Sequence, residues 1–432
     1  MKSIWQGISL PAFPQLQQDI SADVLVIGGG MAGLLCAYEL TRAGVRCVVA
    51  EASRIASGIT QNTTAKITSQ HGLIYHQLAE RFGLETAGLY LEANEKAVCA
   101  YRELCSGIDC DYQQQDHFVY SCMDRKCLEE ELSILQTLGH PASLVKGLPL
   151  PFPTVGAVRF SHQGQFHPLK FLASIIRDLT IYEHTPVRSV ENRTAVTDYG
   201  HIKAGNIIVA THFPFLNKHG SYFMKLYQQR SYALALEKIP LFQGMYLDEA
   251  ENGLSFRTQG DALILGGGGH RTGFPGGGWN ALEKKARQFY PDAVITHRWA
   301  TQDCMSLDAM PYIGQYSTRT PGVYVATGFN KWGMTSSMVS AMVLKDMILG
   351  KENPYTGIFS PSRSMLHPQL GINLLESAKH ILTFSAPRCP HLGCALKWNP
   401  QEHSWDCPCH GSRFTEDGKC IDNPATGDLK DM

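Results

Sequence analysis

A glycine-rich turn between an apolar strand and a helix constrains the fold of this chain more than any other feature. The β-branched run 24–27 predicts a buried parallel strand, and the six residues after it have the spacing G-x-G-x-x-G. A helical stretch follows, then a second apolar strand that ends in Glu51. Such glycines let backbone N–H groups and a helix N-terminus meet a pyrophosphate, and an acid about 20 residues further on holds a ribose. The pattern predicts a dinucleotide-binding βαβ unit; the alternative is a glycine turn without a ligand.

The sequence contains one such fingerprint. A second glycine cluster, residues 266–269, follows the strand-like residues 262–265 but lacks the third glycine and a suitable helix. We interpret it as a turn that lets backbone approach a ring. Enzymes that use both FAD and a nicotinamide usually carry two fingerprints, so the sequence favours a tightly held FAD without an NAD(P) site.

Two further segments, 206–211 and 322–328, are typical of strands that end in a small-residue turn, and the second leads into a helix at 336–349. Residues 308–314 contain the pattern P-x-I-G. With the glycine fingerprint, residues 20–355 resemble the D-amino-acid oxidase superfamily of flavoproteins. The resemblance implies FAD contacts at the glycine turn, the loop after it and the closing turn, at Gly28, Gly30, Met31, Ala32, Gly33, Glu51, Thr60, Thr63, Thr64, Gly328, Phe329, Gly333, Met334 and Thr335.

Two cysteine–histidine runs lie near the C-terminus, C-P-H-L-G-C at 389–394 and C-P-C-H-G-S at 407–412. Each offers one thiolate and one imidazole. Four such ligands can bind zinc in a tetrahedral site, or a [2Fe–2S] cluster with two Cys on one iron and two His on the other. The facing C-x-H and C-x-x-H spacings, each followed by glycine, speak against zinc.

These runs resemble the Rieske proteins of respiratory and photosynthetic electron transport. The resemblance implies that Cys389 and Cys407 bind one iron, that His391 and His410 bind the other, and that Cys394 and Cys409 form a disulfide.

In the same family a serine and a tyrosine after the second run donate hydrogen bonds to the cluster sulfurs and raise the potential. Ser412 matches the serine, whereas Phe414 replaces the tyrosine. We therefore expect a potential below the top of the range of about −150 to +300 mV.

The expected fold class is α/β: a discontinuous Rossmann-like FAD-binding domain, an antiparallel-sheet substrate domain and a small, partly truncated all-β Rieske domain. The expected ranges are 20–80, 155–220 and 300–350 for the FAD-binding domain, 81–154 and 221–299 for the substrate domain, 351–364 for a linker and 365–432 for the Rieske domain.

The Rieske domain is expected to be truncated because residues 379–385 are the one obvious strand between the linker and Cys389. An open sheet edge is unfavourable in water, so we expect this domain to lean on the flavin domain.

The composition excludes some functions. Of 432 residues 44% are hydrophobic and 18% charged, the net charge is −1, and the sequence has neither a basic run nor an 18-residue apolar span. Nucleic acid is therefore not an expected partner, and a transmembrane segment is not expected either. Eight of the 13 cysteines precede the Rieske runs without paired spacing, which is typical of a reducing compartment. We expect a soluble, cytoplasmic protein.

Five residues are candidates for substrate chemistry beside the flavin. Lys66 and His71 follow the presumed flavin loop; the alternatives are a solvated lysine and a histidine that packs against backbone. Arg257, His270 and Arg271 flank strands that should face the ring, where a basic group could bind a carboxylate.

FAD is expected to be held without a covalent bond. Cys304 is a possible tether, but the cysteine that some relatives use falls at Thr301 when counted back from Asp308.

The sequence predicts an FAD-dependent dehydrogenase that oxidises a small amine, amino acid or hydroxy compound. It would pass electrons through the Rieske cluster to a one-electron redox partner or a quinone. Two alternatives remain open: electron flow from the cluster to the flavin, and a redox-sensing protein in which the cluster only reports redox state.

Overall fold

The computed structural model describes residues 2–383 and 387–430. Its strands are β1 Ile20–Ile27, β2 Cys47–Ala50, β3 Lys66–Ile67, β4 Gln113–Ser121, β5 Ser143–Val145, β6 Gly156–Gln165, β7 Thr180–Tyr182, β8 Val187–Glu191, β9 Thr194–Thr197, β10 His201–Val209, β11 Leu226–Glu237, β12 Met245–Asp248, β13 Ser255–Gln259, β14 Ala262–Arg271, β15 Val294–Ser306, β16 Tyr312–Gln315, β17 Val323–Thr327, β18 Lys397–Asn399, β19 Ser404–Asp406, β20 Arg413–Thr415 and β21 Cys420–Asp422. Its helices are α1 Met31–Arg42, α2 Ile74–Ser106, α3 Arg125–Thr137, α4 Pro168–Ile175, α5 Tyr222–Lys225, α6 Gly278–Phe289, α7 Gly333–Ile348, α8 Thr356–Phe359 and α9 Pro368–Ile381, with a 3₁₀ turn at Ile59–Asn62.

The first sheet forms the expected dinucleotide-binding core. Its order is β16-β17-β10-β1-β2-β7, and the five strands from β17 to β7 run parallel. Val24 and Val26 of β1 pack into one core cluster, with helices α1 and α7, while Leu25 and Ile27 pack into another. Because side chains alternate across a strand, both faces of β1 are covered, which explains its unbroken apolar run.

The second sheet has nine strands in the order β15-β11-β14-β13-β12-β4-β6-β3, with β5 beside β6, and helix α6 packs against β11 and β14. Strands β3 and β6 and residues 300–306 of β15 belong to it, so the expected FAD-binding ranges 20–80, 155–220 and 300–350 have to be corrected there. The expected turn at 266–269 is also wrong. These glycines lie inside β14, where only Gly268 has a left-handed φ, of +63°.

The C-terminal unit, residues 365–383 and 387–430, contains a four-stranded antiparallel sheet, β18-β19-β20-β21. The expected strand 379–385 is wrong at its start, because residues 379–381 end helix α9; residues 384 and 385 lie outside the described part of the chain. The core of the unit has seven buried apolar side chains, four of them cysteines: Cys389, Cys394, Leu396, Cys407, Cys409, Phe414 and Ala425. So small a core needs support from cross-links, a metal or a neighbouring domain.

The structure confirms that this unit leans on the rest of the chain. Glu402 accepts hydrogen bonds from Arg230 of β11, with Nε–Oε1 at 3.0 Å, and from the Tyr232 hydroxyl at 2.9 Å. Arg413, of the unit itself, donates to the same carboxylate at 2.9 Å. The side chains of Arg230 and Glu402 are 4% and 7% exposed. A charge pair so deeply buried is expensive to break, so it fixes the unit on β11.

The expected linker, residues 351–364, is an ordered connection. It contains helix α8 and ends at Arg363, whose guanidinium donates to the Asp308 carboxylate and stacks 3.9 Å from the centre of the Tyr312 ring. The C-terminal unit is therefore fixed at its point of entry as well as on β11.

Replacing Arg230 should loosen the C-terminal unit. In the variant Arg230→Met, Glu402 keeps Arg413 and Tyr232, so the expected loss is about 2 kcal/mol, below the roughly 3–5 kcal/mol for a fully broken buried pair. Amide hydrogen exchange in β18–β21 should become faster, while exchange in β1 and β10 stays unchanged. The control Arg125→Met breaks a pair with Glu129 whose side chains are 40% and 53% exposed, and it should alter neither region. Unchanged exchange in Arg230→Met would contradict the role given to this pair.

Candidate functional site

A cavity of about 900 Å³ lies between the two sheets. One end is at the carboxyl ends of β1, β2 and β10, where Gly28, Glu51 and Thr211 line it; the other is the wall formed by β11, β14 and β15. The carboxyl edge of a parallel sheet is where such folds bind nucleotides. Most of the predicted cofactor contacts line the cavity: Gly28, Gly30, Met31, Ala32, Glu51, Thr60, Thr63, Thr64, Phe329, Gly333 and Met334.

The three other predicted contacts do not line the cavity but lie next to residues or loops that do. Gly33 packs against the glycine turn, and Gly328, with φ +71°, packs beside Leu226 and Ser306. The Thr335 hydroxyl donates to the Thr68 carbonyl at 3.1 Å. We therefore propose a positioning role for them instead of contact with the cofactor.

The glycine turn fits a dinucleotide. Gly28 has φ +109°, and a Cβ there would lie 2.6 Å from the Ala210 carbonyl oxygen; a Cβ on Gly33 would overlap the carbonyl of Gly28. The turn can therefore come this close to β10 and α1 only with glycine. Glu51 accepts hydrogen bonds from the backbone N–H of Gly29 at 2.7 Å and of Ser53 at 2.8 Å, which fixes its carboxylate at the cavity.

Lys66 is the predicted catalytic residue that does line the cavity. Its Nζ donates to the Tyr246 carbonyl at 3.0 Å. Burial and, to a smaller extent, the nearby positive charge of Arg257 together lower the pKa of Lys66 to about 7. Lys66 therefore changes charge near neutral pH, as a group that exchanges protons with a substrate has to.

His71 is a structural residue, as its alternative interpretation proposed. It lies 4% exposed behind the cavity wall, with Nδ1 2.7 Å from the Tyr90 hydroxyl and Nε2 2.9 Å from the Thr68 carbonyl. Its ring stacks on Trp332, which does line the cavity. Burial lowers the pKa of His71 to about 3, so the ring is neutral. The catalytic role expected for His71 has to be corrected to one of supporting Trp332.

Arg257 does not face the cavity either. It is fully buried, and its Nη1 donates to the carbonyls of Thr64 at 2.8 Å and Ala65 at 3.0 Å, while Nη2 donates to Gln259. Its donors hold the loop that carries Thr63, Thr64 and Lys66. The expected carboxylate-binding role is therefore corrected to a role in shaping this loop.

His270 and Arg271 face the C-terminal unit. His270 Nε2 lies 3.0 Å from the hydroxyl of Tyr232, the residue that donates to Glu402. The Arg271 guanidinium stacks on the rings of Tyr227 and Phe274 and points at the Cys409 carbonyl. The two residues therefore do not line the cavity where a substrate was expected, because the C-terminal unit covers this end of β14, which a strand pattern alone does not reveal.

Sequence reasoning missed several residues that line the substrate end of the cavity. Thr301 and Asp303 of β15 and Lys331 all line it. The Asp303 carboxylate accepts from the Ser231 hydroxyl at 3.3 Å, and burial raises the pKa of Asp303. The sequence feature that could have revealed them is the alternation of side chains along β15, which puts residues 299, 301 and 303 on one face of the strand. It was missed because residues 300–306 were assigned to the other sheet.

The four predicted cluster ligands converge. The thiols of Cys389 and Cys407 are in hydrogen-bond contact, and the rings of His391 and His410 lie 4.9 Å apart between centroids. Both Nδ1 atoms are buried and have no hydrogen-bond partner among the described residues. The His391 Nε2 lies 3.0 Å from the Asn217 side-chain oxygen. Two thiols and two unpartnered imidazole nitrogens in one pocket fit the ligand set of a Rieske cluster.

The disulfide between Cys394 and Cys409 is present, as expected. It lies beside the predicted ligand Cys407, since the sulfurs of these three cysteines are within 4.8 Å of one another. Bridged cysteines are not thiolates, so the bridge ties the two runs together without competing for iron. The Ser412 hydroxyl is in hydrogen-bond contact with Cys389, and Phe414 is fully buried.

The cluster pocket and the cavity share a wall. From β15, Gln302 Nε2 donates to the Gly411 carbonyl at 2.8 Å; from β11, Gln228 Nε2 donates to the His410 carbonyl at 2.8 Å. Gln302 also donates to Gln228 at 2.8 Å, so the two form one buried unit. Thr301, the residue before Gln302, lines the cavity. Strands β11 and β15 thus form a wall between the cluster-binding loop and the cavity.

Comparison with known proteins agrees with both sites. Residues 23–347 match the family model described as FAD dependent oxidoreductase, and residues 369–432 match the Rieske [2Fe-2S] domain. The Bacillus subtilis (strain 168) protein YhfW, whose name describes a Rieske 2Fe-2S iron–sulfur protein, is 36% identical over an alignment of 496 positions that covers 100% of this chain and 97% of that protein.

One further relative and one solved structure of the same fold match the flavin part. Gamma-glutamylputrescine oxidoreductase of Escherichia coli (strain K12) is 25% identical over 78% of this chain and 86% of that protein. The crystal structure of glycine oxidase from Geobacillus kaustophilus matches with a TM-score of 0.68 at 19% identity, covering 80% of this chain and 99% of that one. No helix in the described residues is long and apolar enough to cross a membrane.

The fit of the glycine turn predicts a selective loss of FAD. In Gly33→Ala the added methyl overlaps the Gly28 carbonyl, so the turn has to shift away from the pyrophosphate position. The purified variant should contain iron but less than about a tenth of the wild-type flavin. The control Gly357→Ala adds a methyl on helix α8, outside the cavity, where nothing lies within 4 Å, and it should keep its flavin. Full flavin content in Gly33→Ala would show that the turn does not bind the dinucleotide.

Proposed function

The chain belongs to the FAD dependent oxidoreductase family and carries a Rieske [2Fe-2S] domain, and on this basis we propose that it is a dehydrogenase that sends substrate electrons through the cluster. The proposed substrate is a small amine, amino acid or hydroxy compound. The final acceptor is a one-electron redox partner or a quinone outside the chain.

The observation that carries this proposal is the shared wall. Gln302 of β15 contacts the loop that carries the ligand His410, while Thr301 of the same strand lines the flavin cavity. FAD, when bound, takes two electrons from a substrate C–H bond, and a Rieske cluster accepts one electron at a time. The buried hydrogen bonds from this wall hold the cluster loop beside the flavin cavity. This arrangement supports electron transfer from the flavin to the cluster within one molecule.

The charges in the cavity favour a substrate with an amino group. Asp303 places a carboxyl group on the cavity wall, where it can form a hydrogen-bonded pair with an amine or its ammonium form. Lys66, on β3 at the other end of the strand order from β15, also lines the cavity and can accept a proton from that group once its own side chain is neutral. The E. coli relative is named for gamma-glutamylputrescine and the structural neighbour for glycine, and both compounds carry an amine.

Anaerobic titration of the holoprotein with amines, amino acids and hydroxy acids tests the function. We expect an amine or amino acid to bleach the flavin absorbance first and the cluster absorbance next, because electrons enter at the cavity. The control Cys407→Ala removes one iron ligand; its flavin should still bleach, with no second phase. An oxidised cluster beside fully reduced flavin would support the redox-sensing alternative. A cluster that reduces the flavin while no substrate bleaches it would support reversed electron flow.

Lys66 predicts the pH dependence of the reductive half-reaction. Below its pKa of about 7 the side chain is protonated, so it repels an ammonium substrate and cannot accept a proton; above this pKa it is neutral. Arg257 and the neutral His117 are the other titratable groups beside it. The rate of flavin bleaching by substrate should therefore rise as the pH increases through about 7.

The variant Lys66→Met should lose this rise, and Lys66→Arg, which stays protonated, should be slow across the whole range. Flavin content measured on both variants separates a lost proton acceptor from a lost cofactor. An unchanged pH profile in Lys66→Met would show that another group sets the protonation state.

A further inference from the structure

The C-terminal unit also contributes to the nucleotide end of the flavin cavity. We define residues 420–428, from β21 to the loop after it, as the cap segment. All of its residues except Pro424 line the same cavity as Glu51 and Thr211. Residues 426–428 are at the same time exposed to solvent. The cap segment therefore lies at a mouth of the cavity, near the carboxylate expected to hold the ribose.

Two side chains fasten the cap segment to the flavin domain. The Asn423 Nδ2 donates to the Phe213 carbonyl at 2.9 Å and to the Thr211 carbonyl, in the chain just after β10. Arg188 of β8 donates to the Thr426 carbonyl at 3.1 Å. These contacts hold the segment across the edge of the sheet on which the nucleotide lies.

The cap segment is also connected to the cluster loop. The backbone N–H of Ala425 donates to the Ser412 hydroxyl at 3.0 Å, and that hydroxyl contacts the ligand Cys389. The Asn423 carbonyl accepts from Gln228, which also holds the His410 carbonyl. The position of the cap segment therefore depends on the cluster loop through two separate hydrogen-bond connections.

From this arrangement we propose that the cap segment closes the nucleotide end of the cavity, so that FAD is retained while the iron–sulfur unit is docked and its loop is intact. Two sites joined by one element are coupled, and such coupling is reciprocal: bound FAD also holds the cap segment in place. The proposal depends on the FAD site but not on the substrate or on the direction of electron flow.

Release of FAD from the full-length holoprotein tests the closure. Dissociation is followed by the rise in flavin fluorescence after dilution into an excess of a flavin-scavenging protein. In Asn423→Ala the two hydrogen bonds to the Thr211 and Phe213 carbonyls are lost, and release should be roughly tenfold faster. Cys407→Ala, which disrupts the cluster loop, should also release FAD faster.

The matched control is Gln401→Ala. Gln401 belongs to the same unit and contacts Gly277 and Asn280 at a docking point outside the cavity. Its FAD release should stay within about twofold of wild type. Wild-type release rates in both Asn423→Ala and Cys407→Ala would overturn the proposal, and so would an equal acceleration in Gln401→Ala, which would mean that docking alone matters.

If the variants do not fold, the same coupling can be tested on the unsubstituted protein. Amide hydrogen exchange is compared between holoprotein and protein from which the flavin has been removed. Exchange in residues 420–428 should be faster without flavin, whereas β18 and β19, which do not line the cavity, should exchange equally. Equal exchange of the cap segment in both forms would overturn the coupling, whatever the enzyme oxidises.

Discussion

The hydrogen bonds that Gln228 and Gln302 donate to the cluster loop are the interaction on which the rest of this structure depends. Both glutamines are buried on neighbouring strands of the sheet that closes the flavin cavity, and their acceptors are the carbonyls of His410 and Gly411. An unpaired buried amide or carbonyl is unfavourable by about 1–3 kcal/mol, so neither partner can leave without loss. The iron-binding loop is thereby held in one position relative to the flavin.

The small size of the C-terminal unit explains why docking is so extensive. Four of its seven core side chains are cysteines, and two of these form the disulfide. The unit's own core is too small to stabilise it alone. Additional stabilisation comes from contacts with the flavin domain at the Glu402 carboxylate, at Arg363 and along the cap segment. These contacts join the C-terminal unit and the flavin domain into one structural unit.

Local patterns predicted the glycine turn and the disulfide that the structure shows, because both depend on short spacings. The assignments of Glu51 to the ribose and of the four cysteine and histidine ligands to iron rest on equally short spacings and stay predictions. The catalytic candidates Arg257, His270 and Arg271 failed because their partners come from distant segments: the loop at Thr64, and the C-terminal unit that covers one end of β14. Asp303 and the cap segment were missed for the same reason. Their roles depend on which sheet and which domain meet, and no local pattern encodes that.

The most direct test of this account is whether electron transfer between the two centres is a first-order or a second-order reaction. In this experiment a flash reduces the flavin of the holoprotein, and the absorbance of the cluster is recorded over time at several protein concentrations. If the shared wall joins both centres within one molecule, the cluster should be reduced in a first-order phase whose rate does not change with concentration. A rate that rises in proportion to protein concentration would mean that electrons pass between molecules, and it would contradict the account.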